Sequence, residues 1–590
     1  MATKKHDYTV PVPDAKGRII YKKKGDATYV LYQYAQDYRP EKKYAVPKRA
    51  LVGKLSTADP SRMRPNDRFQ EFFPDVALPE ERGDAYRSCS LRIGAHAAIA
   101  KVVREYGIDA LLRHAFGADA GLVLDLLSYL VVEEENAGQY YPDYAFGHPL
   151  FSEGMRIASD SKVCRFLKSV TRDRTAAFQE AWNAKRPKDG RIYISYDSSN
   201  KNCQAGDIDL VEFSHAKDER GLPVFNVAVA YDKTNRVPLF YEEYPGSVTD
   251  VSQFVYMVDK VVEYGYKSVG FVLDRGYFSK KNIGYLETNG FAFIIMAKGC
   301  KRLVSSLVES VRGTFETDRD CSIRSYRVYG KTVRAKLYED DARERFFHIY
   351  FGVSRQSAER EQLERTLDRM RLSLDRALGA VATFGKEYAD RFELAYDRKG
   401  TLVSYAERKD LVRRELDLCG YFVIVTSEEM TATQAPMHYK GRDVSEKLFC
   451  ADKSFLGSRS MRVQTAESLR AKLFVEFVAL IVRNRMYNLL KDTMLRMETR
   501  PNFMTVPAAI RELEKMEMVR RSGGLYRLDH AVTKRQRTIL AAFGISEEDI
   551  RKLATGIGKE LSDADKELRT KKQTDDTEEC DAEDETDGLD

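Results

Sequence analysis

The chain has 590 residues, of which 43% are hydrophobic and 11% aromatic, so it can fold but is too long for one core, and about three to five domains are expected. Its net charge of +6 hides an asymmetry, because residues 574–590 carry ten acidic and no basic side chains, which leaves +16 on the remainder. A body this basic favours a polyanionic partner. No apolar run reaches the length of a bilayer span and no signal-peptide core follows Met1, so the sequence predicts a cytoplasmic protein with no membrane partner.

The cysteines and histidines argue against a site for a soft metal. Eight of each are scattered along the chain, and no CxxC pair occurs. Reduced thiols are expected rather than a disulfide framework or a zinc knuckle. Any metal should therefore be a hard ion bound by carboxylates.

Two regions precede the first α/β pattern. Residues 1–75 combine Lys and Tyr with short apolar runs, which predicts a basic, strand-rich region; nucleic-acid contact and an ordinary small sheet fit this composition equally. Residues 76–185 repeat apolar side chains at three- and four-residue steps, which predicts a helical, DNA-binding region without identifying a recognition helix.

A mixed five-stranded sheet is predicted from residue 186 onward. Its strands are expected at 191–197, 224–231, 237–244, 268–274 and 291–296, with helices before and after the fourth strand. Asp197 ends the first strand and Asp274 ends the fourth. If these strands are parallel neighbours, both carboxylates emerge at one edge of the sheet. A turn role is the commoner one for a single strand-end Asp.

The predicted layout of the chain is α/β with accessory domains at both ends. The core occupies 186–300 and 420–495 and is interrupted by a β-rich insertion at 301–419; a C-terminal helical domain at 496–570 and an acidic, disordered tail at 571–590 follow.

A polar stripe is predicted on the helix from Tyr439 to Lys453. At 100° per residue, one side of this helix carries Tyr439, Arg442, Glu446 and Lys453. An ordinary solvated helix face would show the same pattern. With the two strand-end carboxylates, Glu446 completes the ligand set expected for two Mg²⁺ ions in phosphoryl transfer. Arg442 and Lys453 would then hold phosphates, and Tyr439 would bond a phosphate or stack on a base.

These features together resemble a known family. The strand order resembles the RNase H-like fold. The motifs are Asp197 in Tyr-Asp-Ser-Ser-Asn, Pro245-Gly246 followed by Asp250, Asp274 in Asp-Arg-Gly-Tyr-Phe-Ser, and the Tyr439/Arg442/Glu446/Lys453 spacing. They resemble bacterial insertion-sequence transposases of the Asp-Asp-Glu class, in the subgroup with a Tyr-Arg-Glu-Lys signature (insertion sequence four type) and a β-rich insertion before the catalytic Glu.

The resemblance implies a site and a reaction. Asp197, Asp274 and Glu446 would be the catalytic, metal-binding triad for two Mg²⁺ ions, with Mn²⁺ able to substitute. A homodimer would cut and paste double-stranded DNA at paired terminal inverted repeats into a target DNA, in association with the bacterial nucleoid. Some members of the family form a DNA hairpin intermediate, in which a tryptophan of the insertion stabilises a flipped base. The one tryptophan of this chain is Trp182, outside the insertion, so this residue has no candidate there and the hairpin route is in doubt.

Further DNA contacts are expected near the fourth and fifth strands. The candidates are Arg275, Lys298 and Arg302, and for the two that follow the fifth strand solvated loop cations are an equally good interpretation.

Three other functions are compatible with parts of this pattern. An RNase H-like nuclease or resolvase would share the metal site without joining strands. A catalytically idle, transposase-derived regulator would bind DNA only. A carboxylate-pair glycosidase leaves the cationic stripe around Glu446 unexplained and ranks far behind.

Overall fold

The structure is a computed structural model of the chain. It describes residues 9–15, 18–24, 27–39, 44–57, 59–66, 68–74, 76, 87–188, 190–205, 208–214, 221–297, 301–440, 456, 460–520 and 526–564. Within these ranges the chain is a mixed α/β protein whose strands form four sheets.

The N-terminal sheet is antiparallel, with strand order β1-β5-β4-β3-β2. Its strands are β1 Val10–Pro11, β2 Ile19–Lys24, β3 Ala27–Arg39, β4 Tyr44–Leu55 and β5 Arg62–Pro65. One face packs on a small core of its own, built from Val10, Val30, Val52, Met63 and Phe69, the last on the short helix Phe69–Phe72.

A helical bundle follows, as predicted. Its helices are Gly94–Tyr106, Ile108–Phe116, Ala120–Glu133, Tyr141–Phe146, Asp160–Ser169 and Arg172–Ala184. Contrary to the expectation from the sequence, one stretch, Ile108–Glu133, is long and apolar enough by composition to cross a membrane. It is split by a 3-10 turn, Gly117–Asp119, and 67% of its apolar window is buried inside the protein, as in the core helices of soluble proteins.

The main sheet is mixed and has strand order β12-β13-β14-β17-β11-β10-β7-β8-β9, with β18 beside β7. Its strands are β7 Ile192–Cys203, β8 Val224–Asp232, β9 Val237–Pro245, β10 Val269–Leu273, β11 Ala292–Met296, β12 Ser322–Ile323, β13 Val328–Ala335, β14 Arg345–Phe351, β17 Tyr421–Thr426 and β18 Ser460–Met461. Helices Asp250–Glu263, Lys280–Thr288 and Lys301–Val311 connect them. The first two lie before and after the fourth strand as predicted, and Thr249 and Ser279 cap them.

Two features of this sheet differ from the prediction. β7 continues past Asp197 to Cys203, because its ladder with β8 runs on to Asn202. The sheet is also wider than five strands: β12–β14 extend it, because β14 pairs with β17 over six residues. The rest of the 301–419 region projects as helices Val353–Ala377, Lys386–Ala389 and Lys409–Leu418 with the hairpin of β15 Phe392–Tyr396 and β16 Leu402–Glu407.

The long helix Ala466–Leu495, here called the core helix, packs between the main sheet and the bundle. Beyond it lie helices Val506–Leu513, Lys534–Ala542 and 547–564, and strands β19 Glu517–Arg520 and β20 Tyr526–Leu528. β19 pairs with β6 Ser90–Arg92, so a strand just before the helical bundle and a strand of the C-terminal region share a sheet.

Candidate active site

The two aspartates lie on neighbouring parallel strands. β10 runs parallel to β7, with Leu273 opposite Tyr196. Asp274 follows Leu273 and Asp197 follows Tyr196, so the two aspartates lie opposite each other, one residue beyond this last pair. Adjacent strands are separated by about 4.8 Å, which brings the two side chains to one place on the sheet. The condition set in the sequence analysis, that the first and fourth strands are parallel neighbours, is thus met.

Both aspartates belong to the same face of the sheet. Tyr196 and Leu273 are fully buried in the main core. Because side chains alternate along a strand, Asp197 and Asp274 point to the opposite face, which they share with Val272.

This second face is covered by the helix Gln434–Lys440. Its Ala435 and Tyr439 pack with Val272 and Ile294 in a separate apolar cluster. This helix ends at Lys440, and the predicted third carboxylate, Glu446, lies outside the described residues.

Backbone groups fix the positions of both aspartates. The Asp197 Oδ1 accepts a hydrogen bond from the backbone N–H of Ser198 at 3.0 Å. The Asp274 carbonyl accepts one from the backbone N–H of Tyr277 at 3.0 Å, which closes the 3-10 turn Arg275–Tyr277. Both aspartate side chains are half-buried, so solvent reaches them.

A buried tyrosine lies directly behind the pair. The Tyr277 ring is 2% exposed and its centroid is 5.6 Å from that of Tyr196. Burial raises the pKa of Tyr277 far above its ordinary value, and the negative charges of Asp250 and Asp197 raise it further. The phenol therefore stays neutral, and the negative charge at this edge resides on carboxylates.

Asp250 is held close to this edge. The Tyr244 hydroxyl donates to the Asp250 Oδ1 at 2.7 Å, at the first turn of the helix Asp250–Glu263. In the part of the chain that the structure describes, no three His, Cys, Asp or Glu side chains are grouped to hold a metal ion. Asp197 and Asp274 offer carboxylate oxygens, the kind of donor that hard ions such as Mg²⁺ and Mn²⁺ bind.

Of the other predicted site residues, the structure describes three and leaves four outside its described ranges. Tyr439 is 8% exposed and packs against the sheet instead of lying on an exposed stripe, because its helix begins at Gln434 and turns Ala435 and Tyr439 inward. Arg302 is exposed on the helix Lys301–Val311, and Arg275 begins the 3-10 turn. Four predicted residues lie outside the described ranges: Lys298, Arg442, Glu446 and Lys453.

A basic cleft of about 570 Å³ opens beside the helix Gln434–Lys440. The His438 ring lies 4.3 Å from the Tyr193 ring, and burial followed by the charge of Lys233 lowers the pKa of His438. The imidazole is therefore neutral near pH 7, and the positive charge of the cleft comes from Lys and Arg side chains. Its cationic lining residues are Arg191, Lys233, Arg236 and Lys491.

One buried ion pair near the site has no counterpart in the sequence analysis. The Lys201 Nζ lies 2.9 Å from the Glu476 Oε2, and the two side chains are 1% and 3% exposed. The pair joins the end of β7 to the core helix. The sequence signal is the single Glu within Leu473-Phe-Val-Glu-Phe-Val, a charge in an otherwise apolar run.

Comparison with known proteins supports a DDE-type transposase. Residues 204–482, just under half of the chain, match the family model described as the transposase DDE domain. Asp274 and Glu446 lie within the matched segment, whereas Asp197 precedes it by seven residues. This match indicates a protein that acts in DNA transposition and recombination.

The other comparisons add less. No curated protein matches the chain. Among solved structures, the chain is similar to the cryo-EM structure of a piggyBac transposase synaptic complex with hairpin DNA, at 8% identity and a TM-score of 0.33, over 82% of this chain and 87% of that one. A TM-score this low does not define a shared fold.

Proposed function

We propose that the chain is a metal-dependent DNA transposase that cleaves at transposon ends and transfers the freed strand into target DNA by a cut-and-paste route. The observation that carries the proposal is the placement of Asp197 and Asp274 at one register position of two parallel strands, on the face covered by the helix Gln434–Lys440. The family match over residues 204–482 supports the same reading.

The strand order supports an RNase H-like core. Three antiparallel strands, β9, β8 and β7, lie beside the parallel strands β10 and β11 in the order 3-2-1-4-5. In such a sheet the crossover helices Asp250–Glu263 and Lys280–Thr288 leave the carboxyl ends of β7 and β10 at one edge.

Glu446 is proposed as the third carboxylate. It is six residues beyond Lys440, a span of about 9 Å if helical and about 20 Å if extended. The helix Gln434–Lys440 packs on the face assigned to the aspartates, which favours Glu446, further along the same segment, as their partner. Asp197, Asp274 and Glu446 would together hold two Mg²⁺ ions, or Mn²⁺, which would serve to activate an attacking oxygen and to stabilise a leaving one.

The protein side chains then position the DNA. Arg442 and Lys453 would hold phosphates at the scissile position and its neighbour, and Arg275, Lys298 and Arg302 would extend this cationic rim. Tyr439, which packs on the sheet at the start of the same segment, would bond a phosphate or stack on a base. A protein dimer on paired inverted repeats, in a bacterial cell and close to the nucleoid, completes the proposal, as in the transposases with a Tyr-Arg-Glu-Lys signature.

Strand transfer decides between this function and the nuclease alternative. Wild-type protein is incubated with Mg²⁺, target plasmid and a pre-cut duplex whose sequence comes from inverted repeats flanking the reading frame. We expect covalent joining of the 3′-hydroxyl to the plasmid, and no joining by Glu446→Gln. Cleavage without joining would indicate a nuclease, and DNA binding without cleavage would indicate a regulator.

A further inference from the structure

The outer face of the N-terminal sheet carries a row of three cations and one tyrosine that crosses four strands. Lys22 on β2 is opposite Tyr29 on β3, Tyr29 is opposite Lys54 on β4, and Lys54 is opposite Arg64 on β5. Directly opposed residues share a face, and four strands span about 14 Å. Lys22 and Arg64 are exposed at the two ends, and Lys54 is half-buried between them.

A second basic row lies further along the same face. Gln33 on β3 is opposite Arg49 on β4, and its N–H donates to the carbonyl of Arg18 on the other side. Tyr29 and Gln33 are four residues apart on one strand, so the two rows are about 13 Å apart. Arg18 and Arg49 are both exposed.

The two faces of this sheet have different characters. Val30, Gly53 and Met63, which alternate with the residues of the first row, are buried on the side of the small core. Between the two basic rows the outer face has a row of half-buried apolar side chains, because Ile20 is opposite Leu31 and Leu31 is opposite Leu51. Among the described residues, the apolar core of this sheet is built on the other face.

Acidic side chains are missing from these strands. The segments 19–24, 27–36, 44–55 and 62–65 contain no Asp or Glu, and the first acidic residue of β3 is Asp37, which pairs with Lys48 at 3.2 Å. A solvated surface of a soluble protein normally intersperses both signs of charge. A face whose charges are all positive instead attracts a polyanion.

We propose that this outer face binds the backbone of duplex DNA, as a surface separate from the carboxylate site. The inference rests on the proposed function for the choice of DNA as the polyanion. A face four strands wide exceeds the major groove, which is about 12 Å wide, so it lies across the phosphates and binds without reading sequence. Its role is to hold flanking or target DNA while the carboxylate site acts.

The test is equilibrium binding of the full-length protein to a labelled duplex of random sequence in EDTA, from about 50 to 200 mM NaCl. The variant combines Lys22→Ala, Arg49→Ala and Arg64→Ala. Three lost phosphate contacts should weaken binding at least about tenfold and reduce the slope of log K against log salt by up to about 2.7, at about 0.9 per contact. Unchanged near-UV circular dichroism establishes that the variant is folded.

A matched variant controls for loss of charge alone. Arg376→Ala, Arg398→Ala and Lys399→Ala remove three exposed cations from the insertion, and this variant should bind as wild type does. Equal affinity and slope for wild type and the Lys22/Arg49/Arg64 variant, or an equal loss in the control, would overturn the proposal. Tighter wild-type binding to a single strand than to the duplex would overturn the assignment to duplex DNA.

The outcome is independent of catalysis. The assay contains neither metal nor transposon-end sequence, so a negative result here leaves the Glu446→Gln test standing. Failure of strand transfer would likewise leave the salt dependence of the outer face intact.

Discussion

Asp274 sits where the backbone leaves the sheet, and its carbonyl accepts the hydrogen bond that closes the turn to Tyr277. Asparagine keeps this carbonyl and the shape of the side chain, so the turn should also form in an Asn variant. We predict that Asp274→Asn folds normally and binds DNA within about twofold of wild type, but cleaves at least about a hundredfold more slowly, because loss of a metal ligand removes several kcal/mol of transition-state stabilisation.

Plasmid cleavage and DNA affinity, measured on the same preparations, check this prediction. Asp390→Asn, which changes an exposed aspartate in the insertion, is the matched control and should cleave as wild type does. Cleavage by Asp274→Asn at the wild-type rate would remove Asp274 from the catalytic set.

His348 makes the stability of the main sheet dependent on pH. It is fully buried, with Nδ1 2.8 Å from the Thr332 hydroxyl and Nε2 3.0 Å from the Thr426 hydroxyl, and burial lowers its pKa to about 4. Between about pH 6.5 and pH 4 the unfolded chain binds a proton that the folded chain excludes. The free energy of unfolding therefore falls as the pH drops through this window, by up to about 3 kcal/mol.

Urea unfolding of wild type and His348→Gln at about pH 7 and pH 5 isolates this effect. We expect wild type to lose about 2 kcal/mol more than the variant over that step, since every other titrating group is common to both. Equal losses in the two proteins would show that His348 does not titrate on unfolding.

The position of a single site residue could be predicted from the sequence where neighbouring residues in the chain determine it. Asp197 and Asp274 each follow apolar strand residues, so their positions could be found without knowing the fold. The burial of Tyr439 could not, because the face of the helix Gln434–Lys440 that packs on the sheet depends on strands that are distant in sequence. The start of this helix does have a local signal, since Thr431 and Gln434 exchange hydrogen bonds as in a capping box. The partner of Lys201 lies 275 residues away, which no local pattern reveals.

At the scale of elements, β7 connects the site to the core helix. Beyond Asp197 it pairs with β18, and its Lys201 forms the buried ion pair with Glu476. Breaking one partner of such a pair leaves a buried charge without compensation. We predict that Lys201→Met lowers the free energy of unfolding by about 3–5 kcal/mol.

The double variant Lys201→Met, Glu476→Met should recover most of that loss, because it removes both charges. Chemical unfolding of the two single variants and the double variant measures the coupling. Arg551→Met, which breaks the pair with Glu547 on an exposed helix, should change stability by less than about 1 kcal/mol. A double variant less stable than either single variant would contradict an ion-pair role.

Elements were predicted well wherever the apolar periodicity is clear. The helices expected before and after the fourth strand are present, and that strand, the apolar β10, is found in the middle of the main sheet. Strand partners were harder to predict, because pairing is a long-range choice: β14 extends the main sheet through β17, 70 residues further on. The proposed RNase H-like core is therefore embedded in a larger sheet than expected.

At the scale of the whole molecule, distant parts of the chain close on one another. β6 pairs with β19, and the His148 Nε2 lies 2.7 Å from the Glu514 carboxylate, so the helical bundle and the C-terminal region share contacts. The basic outer face of the N-terminal sheet and the carboxylate site are separate features of this assembly. Sequence composition predicted a polyanionic partner but could not place the charge, because a face exists only once strands are paired.

The central claim is that Asp197, Asp274 and Glu446 converge on shared metal ions, and Mn²⁺ binding tests it most directly. Electron paramagnetic resonance counts Mn²⁺ bound to the protein with an end duplex, for wild type and for Asp197→Asn, Asp274→Asn and Glu446→Gln. We expect two bound ions in wild type and a loss of binding in each variant. Wild-type Mn²⁺ binding by Glu446→Gln would contradict the claim, because it would leave the two aspartates without their proposed third ligand.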